Sequence, residues 1–334
     1  MTSTQPGTVT PGDASAPGRT ARRLRQKSSD RGASRVFRWL STGAGILILG
    51  ILAAVTIFLV VRALPAITAD PAELAEKISW FPDDSSLIAF VGPMIFGSLL
   101  AAALALLIAT PIGIAVALFI SHYAPRSIAG PLGYVIDLLA AIPSVIYGAW
   151  GYLVLAPALV PGYQWLAENL GFIPIFGGPA SQTGKTMLTA GIVLAVMVLP
   201  IITSLCREIF LQTPKLHEEA ALALGATRWE MITTAVLPFA RPGIISAVML
   251  GLGRALGETM AVALVLSTGA LIPSLIQSGN QTIAAEIALN FPEAFGLRLA
   301  ELIAAGLVLF VITLVVNMIA RAIIARHKEF SGAN

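Results

Sequence analysis

Six stretches of this chain are apolar for long enough to cross a lipid bilayer, and this limits the possible folds more than any motif does. A spanning helix needs about 20 mostly apolar residues, and such runs lie at about 43–64, 93–120, 132–156, 186–205, 243–268 and 299–322. The runs are continuous rather than alternating, so a helix is expected in each, because only helices and closed barrels satisfy their backbone inside lipid. The expected fold is therefore all-α, a polytopic membrane protein with six transmembrane helices. The second run exceeds a perpendicular span, so it tilts, projects beyond the bilayer or bends near Pro111. Pro143 and Pro200 also fall within spans, where neighbouring helices can take up the freed carbonyls. Charged residues make up 12% of the chain and hydrophobic ones 56%, too little charge to cover the surface of a water-soluble domain of this length.

The few charges are unevenly placed. Eight of the 21 Lys and Arg lie in the first forty residues. With a cytoplasmic N-terminus, sixteen basic residues fall on the cytoplasmic side, and only Arg62, Lys77, Lys185 and Arg298 fall on the other. That bias places both termini in the cytoplasm. It also explains the pI near 9.2 without a nucleic-acid partner, since the basic residues flank apolar spans. Residues 1–40 form a basic tail, rich in Thr, Ser, Pro and Gly, that is expected to be disordered. The run after it is too long for a signal peptide and no small-residue cleavage site follows, so it should remain as the first span. Residues 41–325 then form the membrane domain and 326–334 a short cytoplasmic tail. The single Cys206 forms no intrachain disulfide, and His122, His217 and His327 sit in three separate segments, which argues against a metal site.

The first two outer loops differ in character. The first, 65–87, carries Asp70, Glu73, Glu76, Asp83 and Asp84 with Trp80 and Phe81. The second, 157–185, carries Trp165, Phe172 and Phe176. Interfacial anchoring and docking of an external partner are both open for them, and the two are compatible. The long cytoplasmic loop, from Cys206 to about Pro242, is different in kind. Pro214 suits a helix start, Glu218 and Glu219 suit the positive end of its dipole, and Glu219–Leu224 is strongly helix-forming. Gly225 then ends that helix and a second short one runs from Thr227 to Leu237 and Pro238. A helix–Gly–helix hairpin at about 207–240 is the expected result, either an ordinary interfacial helix or a docking element whose small Ala surface admits another protein closely.

The stretch Gly178–Thr186, GPASQTGKT, imitates a phosphate-binding loop. Four residues must separate the first Gly from Gly-Lys-Thr, and Gly178 is one too far from Gly184. The chain is therefore not expected to hydrolyse ATP or to hold a cofactor. Within span five, GLGRALGETMAVALVLS places Arg254 and Glu258 near mid-membrane. A charge there costs about 2.5–3.5 kcal/mol on insertion scales, and the i, i+4 spacing puts both side chains on one helix face. Either they form an ion pair that holds helices together, or they line a path for an anion. An Arg fork matches phosphate oxygens, and phosphate keeps a proton that a carboxylate can accept. Asp137 reads as a cap or interfacial residue, and Glu301 as a structural partner of Arg298.

The hairpin residues Glu219, Ala220, Ala221, Gly225, Leu237 and Pro238 match in register the EAA motif of ABC importer permeases; Ala235 stands where that motif has Ile. With LLAAIPSVIYGAWG (138–151), Arg207-Glu208, EEAALALGATRWEMI (218–232) and GRALGETMAV (253–262), the region from about 40 to 325 resembles the phosphate-specific (Pst) ABC transporter permeases of the PstC type. The resemblance implies a type I (MetI-like) importer architecture in a bacterial cytoplasmic membrane. It also implies a heterodimer with a PstA-type permease, a PstB-type ATPase dimer that uses ATP and Mg, and an external PstS-type phosphate-binding protein. Glu218 to Pro238 would then couple to the ATPase, and Arg254 with Glu258 would line the route for inorganic phosphate. Other oxyanions, such as molybdate, sulfate or phosphonate, remain open as cargo. An ion-driven secondary transporter would leave the hairpin without a role, and no in-span grouping of His, Cys or Ser with His supports a membrane-embedded enzyme.

Overall fold

A computed structural model describes residues 18–70, 87–267 and 272–327, with side chains described between 34 and 323 in those ranges. Among the described residues ten helices follow in order: α1 (Gly18–Thr68), α2 (Leu87–Tyr123), α3 (Arg126–Ala140), α4 (Ser144–Leu170), α5 (Met187–Leu211), α6 (Lys215–Ala223), α7 (Arg228–Leu256), α8 (Met260–Val265), α9 (Ile283–Asn290) and α10 (Leu297–His327). Six of them, α1, α2, α4, α5, α7 and α10, are long and apolar enough to cross a membrane, as the apolar runs required. By contacts the chain divides at Phe58. α1 runs from Gly18 past that division to Thr68. Residues 1–17 and 328–334, and most of the first outer loop with Glu73, Glu76, Trp80, Phe81, Asp83 and Asp84, lie outside the described residues.

The second unit is built on α2 and α5, which make its most extensive helix pairing. Ala101, Ala102, Ala105 and Ala109 of α2 are buried with Val193, Leu194, Met197, Val198 and Ile202 of α5. Small side chains on one partner let the backbones close up, which is how helices gain packing energy where lipid offers no hydrophobic advantage. Gly251 of α7 meets α5 in the same way: a Cβ there would stand 2.7 Å from Val198. Pro111 does not break α2, which ends instead in a π-turn at Phe119–Tyr123.

Three expected boundaries shift. The third span is not 132–156 but Ser144–Leu170, with α3 as a separate helix before it. Pro143 divides them because it lacks the N–H that would reach Leu139 and forces Ile142 out of the helical region. The freed Leu139 carbonyl accepts instead from the Tyr147 hydroxyl at 2.9 Å and the Ile142 N–H at 3.3 Å. As a consequence, half of the expected outer loop 157–185 is helix; Trp165 and Phe172 are exposed and Phe176 partly buried. The expected loop 206–242 is also mostly helix, since α5 runs to Leu211 and α7 passes without interruption through Leu237 and Pro238.

Span five ends early. α7 stops at Leu256, α8 is a single short helix, and an irregular segment leads to α9. Non-helical backbone buried in protein must find partners there, and this segment does. Ser181 N–H donates to the Ile276 carbonyl (2.9 Å), Leu275 N–H to Ile175 (2.8 Å) and Leu188 N–H to Leu275 (3.0 Å). The Asn280 side chain, at φ 63°, closes both backbone groups of Ile272. Ser98 of α2 accepts from Ile283 N–H at 3.0 Å. Next to it, a Cβ on Gly97 would lie 2.2 Å from the Gln281 carbonyl oxygen, whereas one on Gly92 would meet nothing within 4 Å. Gly97→Ala should therefore destabilise the folded chain by about 1–3 kcal/mol, lowering its thermal unfolding midpoint in detergent, while Gly92→Ala should leave that midpoint unchanged or slightly raised.

Candidate coupling hairpin and charged cleft

The hairpin is assembled by local chemistry. Pro214 caps the start of α6, and Glu218 stands in its first turn. Gly225 at φ 88° ends it; Ala226 N–H returns to Ala221 and Gly225 N–H to Leu222, the paired bonds of a Schellman stop. Thr227 then starts α7 with a capping box: its hydroxyl accepts from Glu230 N–H, and the Glu230 carboxylate accepts from Thr227 N–H at 2.7 Å. That box is legible in the sequence as the spacing Thr-x-x-Glu. The returning leg is anchored by Met231, Ile232 and Val236, all buried. Ile232 thus fills the core one turn before the position where Ala235 replaces the motif's Ile.

The two adjacent glutamates are not equivalent. Glu218 is half-buried and its carboxylate lies 3.8 Å from His122 at the end of α2. Glu219 and Ala220 are exposed, as are Gly225 and Pro238, while Ala221 and Leu237 are half-buried. Leu216, Leu224 and Trp229 add exposed apolar surface to the same hairpin. A second tie holds the neighbouring helices. Asp137 of α3 accepts from the Ser204 hydroxyl at 2.6 Å and from Arg207 at 3.4 Å, and Arg207 also reaches Glu208 at 2.8 Å. Asp137 is therefore a tertiary pin between α3 and α5 rather than a helix cap. Gly133 makes it possible: a Cβ there would lie 1.8 Å from the guanidinium.

Arg254 and Glu258 are not brought together on one helix face. α7 ends at Leu256, and the Gly257 N–H caps it on the Gly253 carbonyl. Glu258 lies past that break, buried, and its carboxylate accepts from Ala261 N–H at 3.1 Å, closing the first turn of α8. The i, i+4 expectation fails because the helix it assumed is interrupted between the two residues. Arg254 is half-buried and makes no hydrogen bond or ion pair with the described residues. It lines an open cleft of ≈ 760 Å³ together with Ser246 and Gly253 of α7 and Asn317 and Arg321 of α10. Sequence reasoning counted Arg321 only as a topology signal and missed Ser246 and Asn317. Their spacing held the clue: Ser246, Leu250 and Arg254 recur every fourth residue, as do Asn317 and Arg321. Glu301, expected to pair with Arg298, has no hydrogen-bond partner on either oxygen among the described residues but lies within electrostatic reach of Arg298; Arg298 also bonds Asn290 at 2.8 Å and stands 4.0 Å from Glu286.

The residues of both features fall within 109–329, where the pattern defining the binding-protein-dependent transport system inner membrane component is matched. The chain belongs to that family. It is 43% identical over 298 residues to the phosphate transport system permease protein PstC 2 of Mycobacterium tuberculosis, covering 88% of this chain and 92% of that one. It is 39% identical over 331 residues to the PstC of Xylella fastidiosa, covering 97% and 99% respectively. A solved bacterial alginate ABC transporter with its periplasmic protein shares 19% identity at a TM-score of 0.49, covering 84% of this chain and 95% of that one, a likeness on which nothing further rests. Family membership makes this a multi-pass component of a transport system in the bacterial inner membrane.

The capping box gives a direct check on the hairpin. Thr227→Ala should remove about 1 kcal/mol from the start of α7, and amide exchange at Arg228–Met231 should quicken by roughly fivefold, read by hydrogen–deuterium exchange with mass spectrometry.

Proposed function

We propose that this chain is the permease subunit through which an ATP-driven importer moves inorganic phosphate into the cytoplasm, the ATP being hydrolysed by a separate subunit. One observation carries the reading: Arg254 sits half-buried at membrane depth in a cleft with Arg321, Asn317 and Ser246, without a carboxylate beside it. A cation held there costs free energy, and an anion passing through supplies the missing partner. The Arg fork offers paired donors to a tetrahedral oxyanion. The names of the related proteins supply phosphate as its identity. Glu258 acts on this path by position rather than contact: by capping α8 it holds open the break that follows Arg254 in the last turn of α7.

The hairpin is the coupling element. Glu219, Ala220 and Gly225 are presented outward with exposed Leu216, Leu224 and Trp229, a surface fitted to a cleft on an ATPase. Glu218 is held back by His122 and ties the element to α2. Movement of the hairpin is transmitted directly, because its returning leg continues as α7 to Arg254 without a loop between. The partners in this reading are a PstA-type permease completing the path, a PstB-type ATPase dimer using ATP and Mg at the hairpin, and a PstS-type binding protein on the opposite face. In this reading both termini face the cytoplasm, as the distribution of basic residues along the sequence implies.

Reconstitution with these partners in liposomes tests the reading by uptake of labelled phosphate. Uptake should require internal ATP. Arg254→Gln should remove about 1.5–3 kcal/mol of charge-assisted bonding, reducing uptake tenfold or more, and Arg254→Lys should restore it only in part. Ala221→Trp should separate ATP hydrolysis from uptake. Uptake that needs no ATP would sink the proposal, and selective sulfate uptake would reassign the cargo.

A further inference from the structure

The stretch that imitates a phosphate-binding loop, Gly178–Thr186, has no role in the reading above, yet it forms one wall of a second cleft. This cleft measures ≈ 610 Å³ and is lined by Tyr152 of α4, Thr183 and Lys185 of the imitating stretch, and Ser267 and Ser278 from the irregular segment after α8. It lies at the end of α5 where that helix begins, the opposite end from the hairpin.

The chemistry of its wall is consistent throughout. Ser181, itself buried, joins the Ser278 hydroxyl at 2.6 Å and the Thr183 hydroxyl at 3.3 Å, giving a connected run of hydroxyls from two separate chain segments. Beside it the Lys185 ammonium rests over the Tyr152 ring, 4.4 Å from its centroid. A cation–π contact of that kind contributes only about 0.5–1 kcal/mol at an exposed site and satisfies none of the ammonium's three donors. Among the described residues no carboxylate lines the cleft and Lys185 forms no ion pair. A point charge and several hydroxyls, with acidic groups excluded, suit a tetrahedral anion that is to be held and released. The backbone is set for it: Ser181 N–H to Ile276, Leu188 N–H to Leu275 and the Gln277 amide to Gly177 fix the two walls to each other.

We infer that this cleft is a subsite for a phosphate group at the mouth of the path, on the face opposite the hairpin. The direction of travel rests on the import reading; the binding chemistry does not. Free inorganic phosphate and the headgroup of an anionic lipid offer the same group, and the two can be told apart.

The full-length chain, assembled with its permease and ATPase partners but without the external binding protein, is placed in nanodiscs. The acylation rate of Lys185 by an amine-reactive reagent is then followed by peptide mass analysis. In phosphatidylcholine alone, inorganic phosphate at about ten times its dissociation constant should slow acylation roughly tenfold relative to chloride at equal ionic strength. Thr183→Val combined with Ser278→Ala should abolish most of that protection. Protection that appears only with phosphatidylglycerol assigns the site to a lipid headgroup. No protection under either condition overturns the inference. The readout needs no turnover, so protection that persists in a chain unable to import phosphate would refute the import reading while leaving the subsite standing.

Discussion

Inside a bilayer a backbone N–H or C=O has no water to turn to, and the shape of this protein follows from how it meets that demand where its helices break. The break before Ser144 is closed by a hydroxyl: Tyr147 donates to the Leu139 carbonyl that Pro143 leaves open. The break after Leu256 is closed by a carboxylate, with Glu258 taking up the Ala261 N–H. The irregular segment before α9 is closed by a second stretch of chain, through bonds to Ile175, Ser181 and Leu188. Each unpaired group would cost several kcal/mol in hydrocarbon, so these substitutions fix where the chain is allowed to turn.

Those turns in turn decide the electrostatics. Were α7 unbroken, Arg254 and Glu258 would neutralise each other one turn apart. Because Gly257 ends the helix, the carboxylate is committed to the backbone of α8 and the guanidinium is left facing the cleft beside Arg321. On the proposed function this separation matters, since a charge-neutral pair would give an anion little reason to enter and two separated cations would give it successive places to rest. The same division recurs in the hairpin, where Glu218 faces His122 and Glu219 faces outward. Neighbouring identical residues acquire different work because helix geometry turns them about 100° apart.

Mechanical continuity links the two features. α7 begins at the capping box of the hairpin, passes a π-turn at Ile232–Val236 and ends at Arg254's turn. π-turns inside helices often mark functional positions, and here one lies between the hairpin and the cleft. The buried side chains Met231, Ile232 and Val236 keep that stretch packed against the core, so displacement at Gly225 has no slack loop in which to dissipate.

The sequence by itself determined the class of the protein. Six apolar runs leave the chain only helices, and the order Pro214, Glu218, Gly225, Thr227 dictates a hairpin because caps and stops act within a turn of their own position. What it could not determine was where spans three and five end, since Pro and Gly in a membrane helix are either absorbed or obeyed according to which side chain waits opposite. Pro111 and Pro200 are absorbed, while Pro143 and Gly257 are obeyed. Nor could it show that Arg254 shares a cleft with Arg321 rather than pairing with Glu258, or that Lys185 rests over Tyr152 in a cleft shared with serines of a distant segment. Those pairings join residues far apart in the chain, and only the packing of α2, α5, α7 and α10 brings them within reach.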